Sequence, residues 1–248
     1  MQYRDLSITS IANEYIVVAC DTSSAIGEKE NDIISVPPEI SSAYCVRVPL
    51  LELLCIGAEP FLVVNLSGNE MKPTGEKYIR GIKKELIKAG YADIAINGST
   101  EENVITTMSS IGVTVLARAG HEQLKWKSVQ EGDIVFQIGI PYFGEELLSH
   151  FDDIISYDDI KKLHQWDELV SEIVPVGSKG SWNEASQLAQ SNNLVFQARN
   201  DKNLKAMCEQ SAGPSTTVIV AGKPALYSKL IVAFKEAFVI GKMEGMNE

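Results

Sequence analysis

The sequence predicts an α/β fold in two halves, on three observations. Apolar runs of strand length alternate with helix-length runs along the chain, the stretch 16–66 reads as strand, helix, strand, and a polar segment at 120–132 breaks the alternation near the midpoint. Lys125 and Lys127 flank Trp126 in that segment, so the domain boundary is placed there, giving domains 1–119 and 120–248 with two layers each.

Residues 15–21 are β-branched and apolar, the pattern of a strand buried on both faces, and Asp21 stands at its C-terminal end. Between Ser41 and Ile56, Val46, Leu50, Leu53, Leu54 and Ile56 recur at helical spacing, and Gly57 closes the run; Pro49 either starts the regular helix or kinks it. Glu52 falls among these apolar residues, either as a charged group on a mostly buried helix or on its solvated edge. Residues 61–66 are the next strand, and a long polar turn at 67–75 leads to a helix over 76–89 capped by Gly90. Residues 94–97 form a short strand, Gly98-Ser99-Thr100-Glu101-Glu102-Asn103 a polar turn, and 111–118 another strand, so four strands and two helices fill the first half. The second half opens with a strand at 133–138, helices near 143–150 and 160–170 around an acidic stretch at 152–159, and a strand at 172–176. The turn Gly177-Ser178-Lys179-Gly180 leads to a helix at 182–190, and strand, helix, strand, helix, strand follow at 195–198, 204–209, 216–221, 225–234 and 238–243.

Composition narrows the function. With 22 basic against 33 acidic residues, the net charge of -11 argues against a nucleic-acid partner, because binders of a phosphate backbone concentrate positive charge. No apolar run approaches the roughly 20 residues that span a bilayer, and the N-terminus lacks a secretory pattern, so no membrane role and a cytoplasmic location are expected. Cys20, Cys45, Cys55 and Cys208 have no metal or disulfide spacing, and His121, His150 and His164 lie in polar contexts without ligand spacing.

Asp21, Glu52 and Glu101 or Glu102 belong to one early unit and are candidates to converge at one sheet edge. Hard cations such as magnesium take oxygen ligands, commonly one or two carboxylates together with substrate phosphates, which points to nucleotide chemistry. Phosphate would need backbone N–H groups in glycine turns, and the candidates are Gly27 with Lys29, the segment 68–75, and the turn 177–180. No P-loop, dinucleotide fingerprint or G-x-S-x-G is present.

At Arg47-Val48-x-Leu50-x-Glu52-Leu53-Leu54-x-Ile56-Gly57-Ala58-Glu59-Pro60 the chain resembles the superfamily of aminoimidazole ribonucleotide synthetase, thiamine-monophosphate kinase, selenophosphate synthetase and hydrogenase-maturation carbamoyl dehydratase. Asp21 and Glu52 match its two acidic positions, while its Gly-Gly-Asp-Thr turn corresponds to Asn97-Gly98-Ser99-Thr100, with Glu101 or Glu102 standing in for the absent aspartate. The segments Cys20 to Gly27, Glu70 to Gly75 and Gly98 to Asn103 are similar to the α-ribazole kinase branch. The resemblance implies a two-domain fold, an N-terminal sheet that forms a barrel with that of a second subunit, and a C-terminal α/β sandwich. It further implies a homodimer with ATP in a cleft between subunits, and magnesium-dependent phosphoryl transfer to a nucleoside-like small molecule. The candidate set is Asp21, Glu52, Glu101 and Glu102 for metal, Asp21 and Lys179 for catalysis, and Lys29, Glu70, Lys72, Thr74, Gly75, Gly98, Ser99 and Thr100 for nucleotide or acceptor, with Lys179 standing where many members of the superfamily carry an acid. The rival expectations are thiamine-monophosphate kinase-like or cyclo-ligase-like chemistry on the same scaffold, and a non-catalytic metabolite sensor.

Overall fold

The structure, a computed structural model, describes residues 1–246. They divide into two compact units, the first of residues 1–54 and 58–123, the second of residues 55–57 and 124 onward.

In the first unit, β1 (Gln2–Tyr3) and β2 (Leu6–Ile11) form a hairpin that continues into β3 (Glu14–Ser24); β4 (Ile26–Gly27) and β5 (Ile34–Ser35) make a small parallel pair. Then come α1 (Pro38–Cys55), β6 (Glu59–Ser67), a π-type turn at Met71–Gly75, α2 (Glu76–Ala89), β7 (Ala95–Thr100) and β8 (Ser110–Gly120). The six-stranded sheet runs β1-β2-β3-β8-β6-β7. Its pairings are antiparallel except β6 with β7, whose parallel register needs a crossover, and α2 supplies it.

Three expectations are corrected here. Strand β3 is not buried on both faces: Val17 and Ala19 are buried while Val18 is half-buried and Cys20 exposed, the alternation of an antiparallel strand with one covered face. Helix α1 begins at Pro38, not near Ser41, because proline is pre-set for the first helical position; Pro49 therefore lies inside it. Strand β7 runs on through Gly98-Ser99-Thr100, which read as a turn. A Cβ at Gly98 would stand 2.0 Å from the Asn65 carbonyl oxygen, so the glycine marks close strand approach and not a bend. Strands β1 and β2 were not anticipated, since Ser7, Thr9 and Ser10 dilute the apolar signal.

The covered face of this sheet lies under α1 and α2. Cys45 Sγ of α1 donates to the Asp21 and Ile111 carbonyls, and buried Tyr78, Ile82 and Leu86 of α2 lie in the same core. The helices cross closely: a Cβ at Gly81 would stand 2.1 Å from the Glu39 carbonyl oxygen, and buried Arg47 and Glu85 pair across them at 3.6 Å. Both helix ends follow their glycines. Gly57 and Gly90 take φ of 87° and 88°, and Ala58 N–H donates to the Leu53 carbonyl as the Schellman geometry requires.

The second unit comprises β9 (Ile134–Ile138), α3 (Gly144–Leu147), α4 (Tyr157–His164), β10 (Val170–Pro175), α5 (Ser181–Ser191), β11 (Leu194–Ala198), α6 (Lys202–Glu209), β12 (Val218–Gly222), α7 (Leu226–Ala233) and β13 (Ala237–Gly245). Its sheet is antiparallel throughout, in the order β10-β12-β9-β13-β11. Val135, Val174, Ile219, Ala221 and Ile240 pack with Ala185 and Leu188 of α5 and Cys208 of α6. On the opposite face the alternation directs Phe136, which stacks on Tyr227 of α7 at 6.2 Å. Helix α4 starts earlier than the expected 160, because Ser156 and Asp159 of the acidic stretch form its capping box. The helix expected near 143–150 is the single turn α3.

Candidate functional site

Strand direction gathers the chemistry of the first unit at one edge of its sheet. The C-terminal ends of β3, β6 and β7 and the N-terminal end of β8 lie side by side there, as the pairs Ser23↔Ile111, Ser67↔Ile111 and Ser67↔Thr100 show. The loops that leave this edge carry Gly27, Lys29 and Asp32, then Asn69 to Gly75, then Glu101 to Ser109.

Asn69, which the sequence reading passed over, holds these loops together. It is wholly buried. Its Oδ1 accepts from Tyr78 OH (3.1 Å) and Ser110 N–H (2.9 Å), and its Nδ2 donates to Thr106 Oγ1 (2.6 Å) and the Met108 carbonyl (2.9 Å). Its carbonyl accepts from Ser67 Oγ (3.0 Å) and Glu101 N–H (3.1 Å), so every polar atom of a buried residue is satisfied. Asp32 ties the first loop to the third, accepting from Lys29 N–H at 2.7 Å, Ser109 N–H at 2.7 Å and Ser109 Oγ at 2.6 Å. Gly27 sits against this knot, where a Cβ would meet Ser109 Oγ at 2.1 Å. Polarity within the long turns was the only available signal for either residue.

Glu70 is the junction of the first and second loops. Its carboxylate accepts from Lys29 Nζ at 2.6 Å and from Thr74 Oγ1. Burial raises its pKa, but the hydrogen bonds from Lys29 and Thr74 and the Lys29 charge outweigh burial and hold the carboxyl below its ordinary value. Thr74 and Gly75 are themselves buried and build the loop, with Gly75 N–H donating to the Glu70 carbonyl. Glu102 Oε1 accepts from Met71 N–H at 2.7 Å and Thr100 Oγ1 at 2.8 Å, and Glu101 Oε1 accepts from Asn103 N–H at 2.7 Å. Lys72 is open, its side chain 81% exposed beside Glu76 at 3.9 Å, and Ser99 is exposed.

Asp21 lies on the helix-covered face, in phase with Val17 and Ala19 and next to Cys45. Burial pushes its carboxyl up to about 6, and a hydrogen bond from the Thr22 backbone only partly opposes that. Its charge in turn contributes, after burial, to raising the Cys45 thiol. Glu52 is seven residues beyond Cys45 on α1, a rise of about 10 Å along the helix axis. It is 8% exposed and pairs with Arg4, Nη1 to Oε2 at 3.9 Å. The acids named from the sequence are therefore not gathered. Among the described residues no group of three or more His, Cys, Asp or Glu side chains is placed to hold a metal ion. Lys179 lies in the second unit, exposed in the turn before α5. Among the described residues no helix is long and apolar enough to cross a membrane.

No family model matches this chain, and no curated protein matches it. Solved structures do. The structure of AaThiL complexed with AMPPCP and TMP superposes with a TM-score of 0.66 at 12% identity, covering 97% of this chain and 84% of that one. Thiamine-monophosphate kinase from Stenotrophomonas maltophilia K279a gives 0.65 at 15%, covering 98% and 89%. This chain has the aminoimidazole ribonucleotide synthetase-like fold. T. maritima PurL complexed with AMPPCP carries that fold within a longer protein: it gives 0.66 at 13% identity, with 96% of this chain matched to 42% of PurL.

Proposed function

We propose that this chain is an ATP- and magnesium-dependent kinase of the cytoplasm. Its proposed reaction is phosphorylation of α-ribazole to α-ribazole 5'-phosphate, in cobalamin lower-ligand salvage. The observation that carries the reading is the convergence of the β3, β6 and β7 ends with loops whose sequences are those similar to the α-ribazole kinase branch. Structures of the same fold solved with AMPPCP support the nucleotide.

The residues fit magnesium unequally. Asp21 suits it, because burial disfavours its charge and no ion pair stabilises that charge among the described residues. Magnesium taken up with a triphosphate needs only one or two protein carboxylates, and when bound it would neutralise the phosphate oxygens. Glu101 and Glu102, bonded to backbone N–H groups, are proposed to hold the third loop in shape, with metal contact secondary to that. Lys29 and Glu70 fix the second loop, and Thr74, Gly75, Gly98 and Thr100 set its geometry against β7. Lys72 and Ser99 are the proposed contacts to phosphate or acceptor; Lys179, exposed in its own turn of the second unit, is proposed separately as a phosphate contact. Catalysis in this scheme is mainly positioning and charge neutralisation.

The chain is further proposed to pair with a second copy through the uncovered face of the first sheet. Ile16, Val18, Leu62, Val64 and Leu116 are half-buried there and Leu66 is exposed, an apolar surface of the kind interfaces use.

The test is ADP release from magnesium-ATP with α-ribazole, thiamine monophosphate and ordinary nucleosides as acceptors. Turnover that requires α-ribazole supports the proposal. Turnover only with thiamine monophosphate supports the second reading, which the thiamine-monophosphate kinase structures favour. ATP binding without turnover on any acceptor supports a sensor.

A further inference from the structure

Glu52 combines two properties that rarely coexist without a counter-ion: it is charged at neutral pH in its ordinary state and it is almost wholly buried. The counter-ion comes from the start of the chain. Arg4 and Asp5 are the two residues between the paired Tyr3 and Leu6 of the β1–β2 hairpin, and Arg4 takes φ of 51°. A two-residue hairpin turn commonly needs a positive φ at this point and usually fills it with glycine, asparagine or aspartate. An arginine instead carries a side chain that reaches Glu52, both side chains being nearly buried, at 4% and 10% exposure. A guanidinium cannot lose its proton within proteins and has no acceptor to offer a metal, so the carboxylate beside it is already neutralised.

We infer that Arg4 is the fixed counter-ion of Glu52 and occupies the role a divalent cation would fill at that carboxylate, leaving Asp21 as the protein's principal metal ligand. The inference rests on the kinase reading for its nucleotide-bound arm, but not for the metal-alone arm. A cation entering at Glu52 would meet the guanidinium charge close by in a poorly hydrated setting, where like charges repel strongly. Glu52 thus serves as a structural anchor that seats the hairpin on α1.

The experiment titrates Mn2+ into the full chain, alone and with AMPPCP, and follows free Mn2+ by electron paramagnetic resonance and unfolding by calorimetry. With AMPPCP, Glu52→Gln is expected to leave Mn2+ affinity unchanged, while Asp21→Asn weakens it by at least about tenfold, the scale on which even outer-shell changes act. With Mn2+ alone, Arg4→Met is expected to gain a Mn2+-dependent rise in unfolding temperature that the wild type lacks, and the Arg4→Met/Glu52→Gln double variant to lose it again. A drop in affinity for Glu52→Gln equal to that for Asp21→Asn overturns the inference, and so does a folded Arg4→Met that gains no Mn2+ response. If Arg4→Met does not fold, the Glu52→Gln and Asp21→Asn comparison still decides. If the wild type binds no AMPPCP, the kinase reading fails, and the metal-alone arm still decides the role of Arg4.

Discussion

The two large sheets among the described residues are both essentially antiparallel, yet they are dressed differently. In the second unit Val218, Ile219, Val220 and Ala221 of β12 are all buried in succession, so both faces of that sheet are covered along this strand. In the first, β3 and β8 alternate, and only the Val17, Ala19, Val113, Val115 face is buried. A strand covered on both faces has completed its hydrophobic burial within one chain; a sheet left half-dressed with valine, leucine and isoleucine has apolar surface still available for burial. That bare apolar face is the ground for the pairing proposed for the first unit.

The sharpest way to break that comparison is to place a lysine in each sheet. Val220→Lys puts an unpaired charge where nothing is solvated and is expected to destabilise by more than about 4 kcal/mol, leaving no folded protein by circular dichroism. Val64→Lys, on the half-buried face, is expected to leave a folded chain whose mass by analytical ultracentrifugation is that of a monomer. A Val64→Lys protein that still dimerises removes the association role from that face.

The next effect is smaller and concerns the edge where the loops meet. Asn69→Ala strands Tyr78 OH, Ser110 N–H and the Met108 carbonyl, and a loss of about 2–4 kcal/mol is expected in urea unfolding at the usual penalty for orphaned buried groups. A change below about 0.5 kcal/mol, the range of surface substitutions, would show that water replaces the side chain.

Asp21 gives a pH signature. Its carboxyl is raised from 3.8 to about 6, so the folded state holds the proton more tightly than the unfolded state. The contribution to stability is full below 3.8 and is lost as pH rises through about 6. Asp21→Asn should flatten the unfolding temperature across that window and give a protein at least as stable as the wild type at pH 7.5, while abolishing turnover; a wild type with no slope in the window contradicts the burial assigned to this group. Metal-nucleotide binding by the wild type should weaken as pH falls through about 6, because the ligand form is the carboxylate. The smallest effect belongs to Lys72→Ala. An exposed i,i+4 pair contributes under about 0.5 kcal/mol, so stability should hold and only nucleotide affinity should move.

Much of this architecture was legible because periodicity and glycine are local signals. Gly57 and Gly90 ended the helices they appeared to end, and β9 to β13 fell close to the expected places. What escaped was set by partners distant in sequence. Whether β3 was covered on one face or two depended on helices that pack only on one side, and Gly98 read as a turn because its reason is the Asn65 carbonyl across the sheet. Of the candidate site, the meeting of its loops was legible, and the bonds that hold them were not. The segments 70–75 and 98–103 do meet, but Thr74 and Gly75 face inward as loop builders, and Asn69 and Asp32 act through bonds that no spacing records. Nothing in the sequence reports that an arginine forty-eight positions earlier, counting 52 minus 4, lies beside Glu52.

The β3–β8 ladder carries a consequence for synthesis. Its eleven rungs run from Ser24↔Ser110 to Glu14↔Gly120, so the outermost partners are 120 minus 14, or 106, residues apart. A nascent chain emerging from the ribosome displays β3 with one bare edge until almost half the protein has been translated. Translational pausing or truncation ahead of residue 110 would expose that bare strand to neighbouring chains, and holdase chaperones should be retained on such stalled products and released once β8 has emerged.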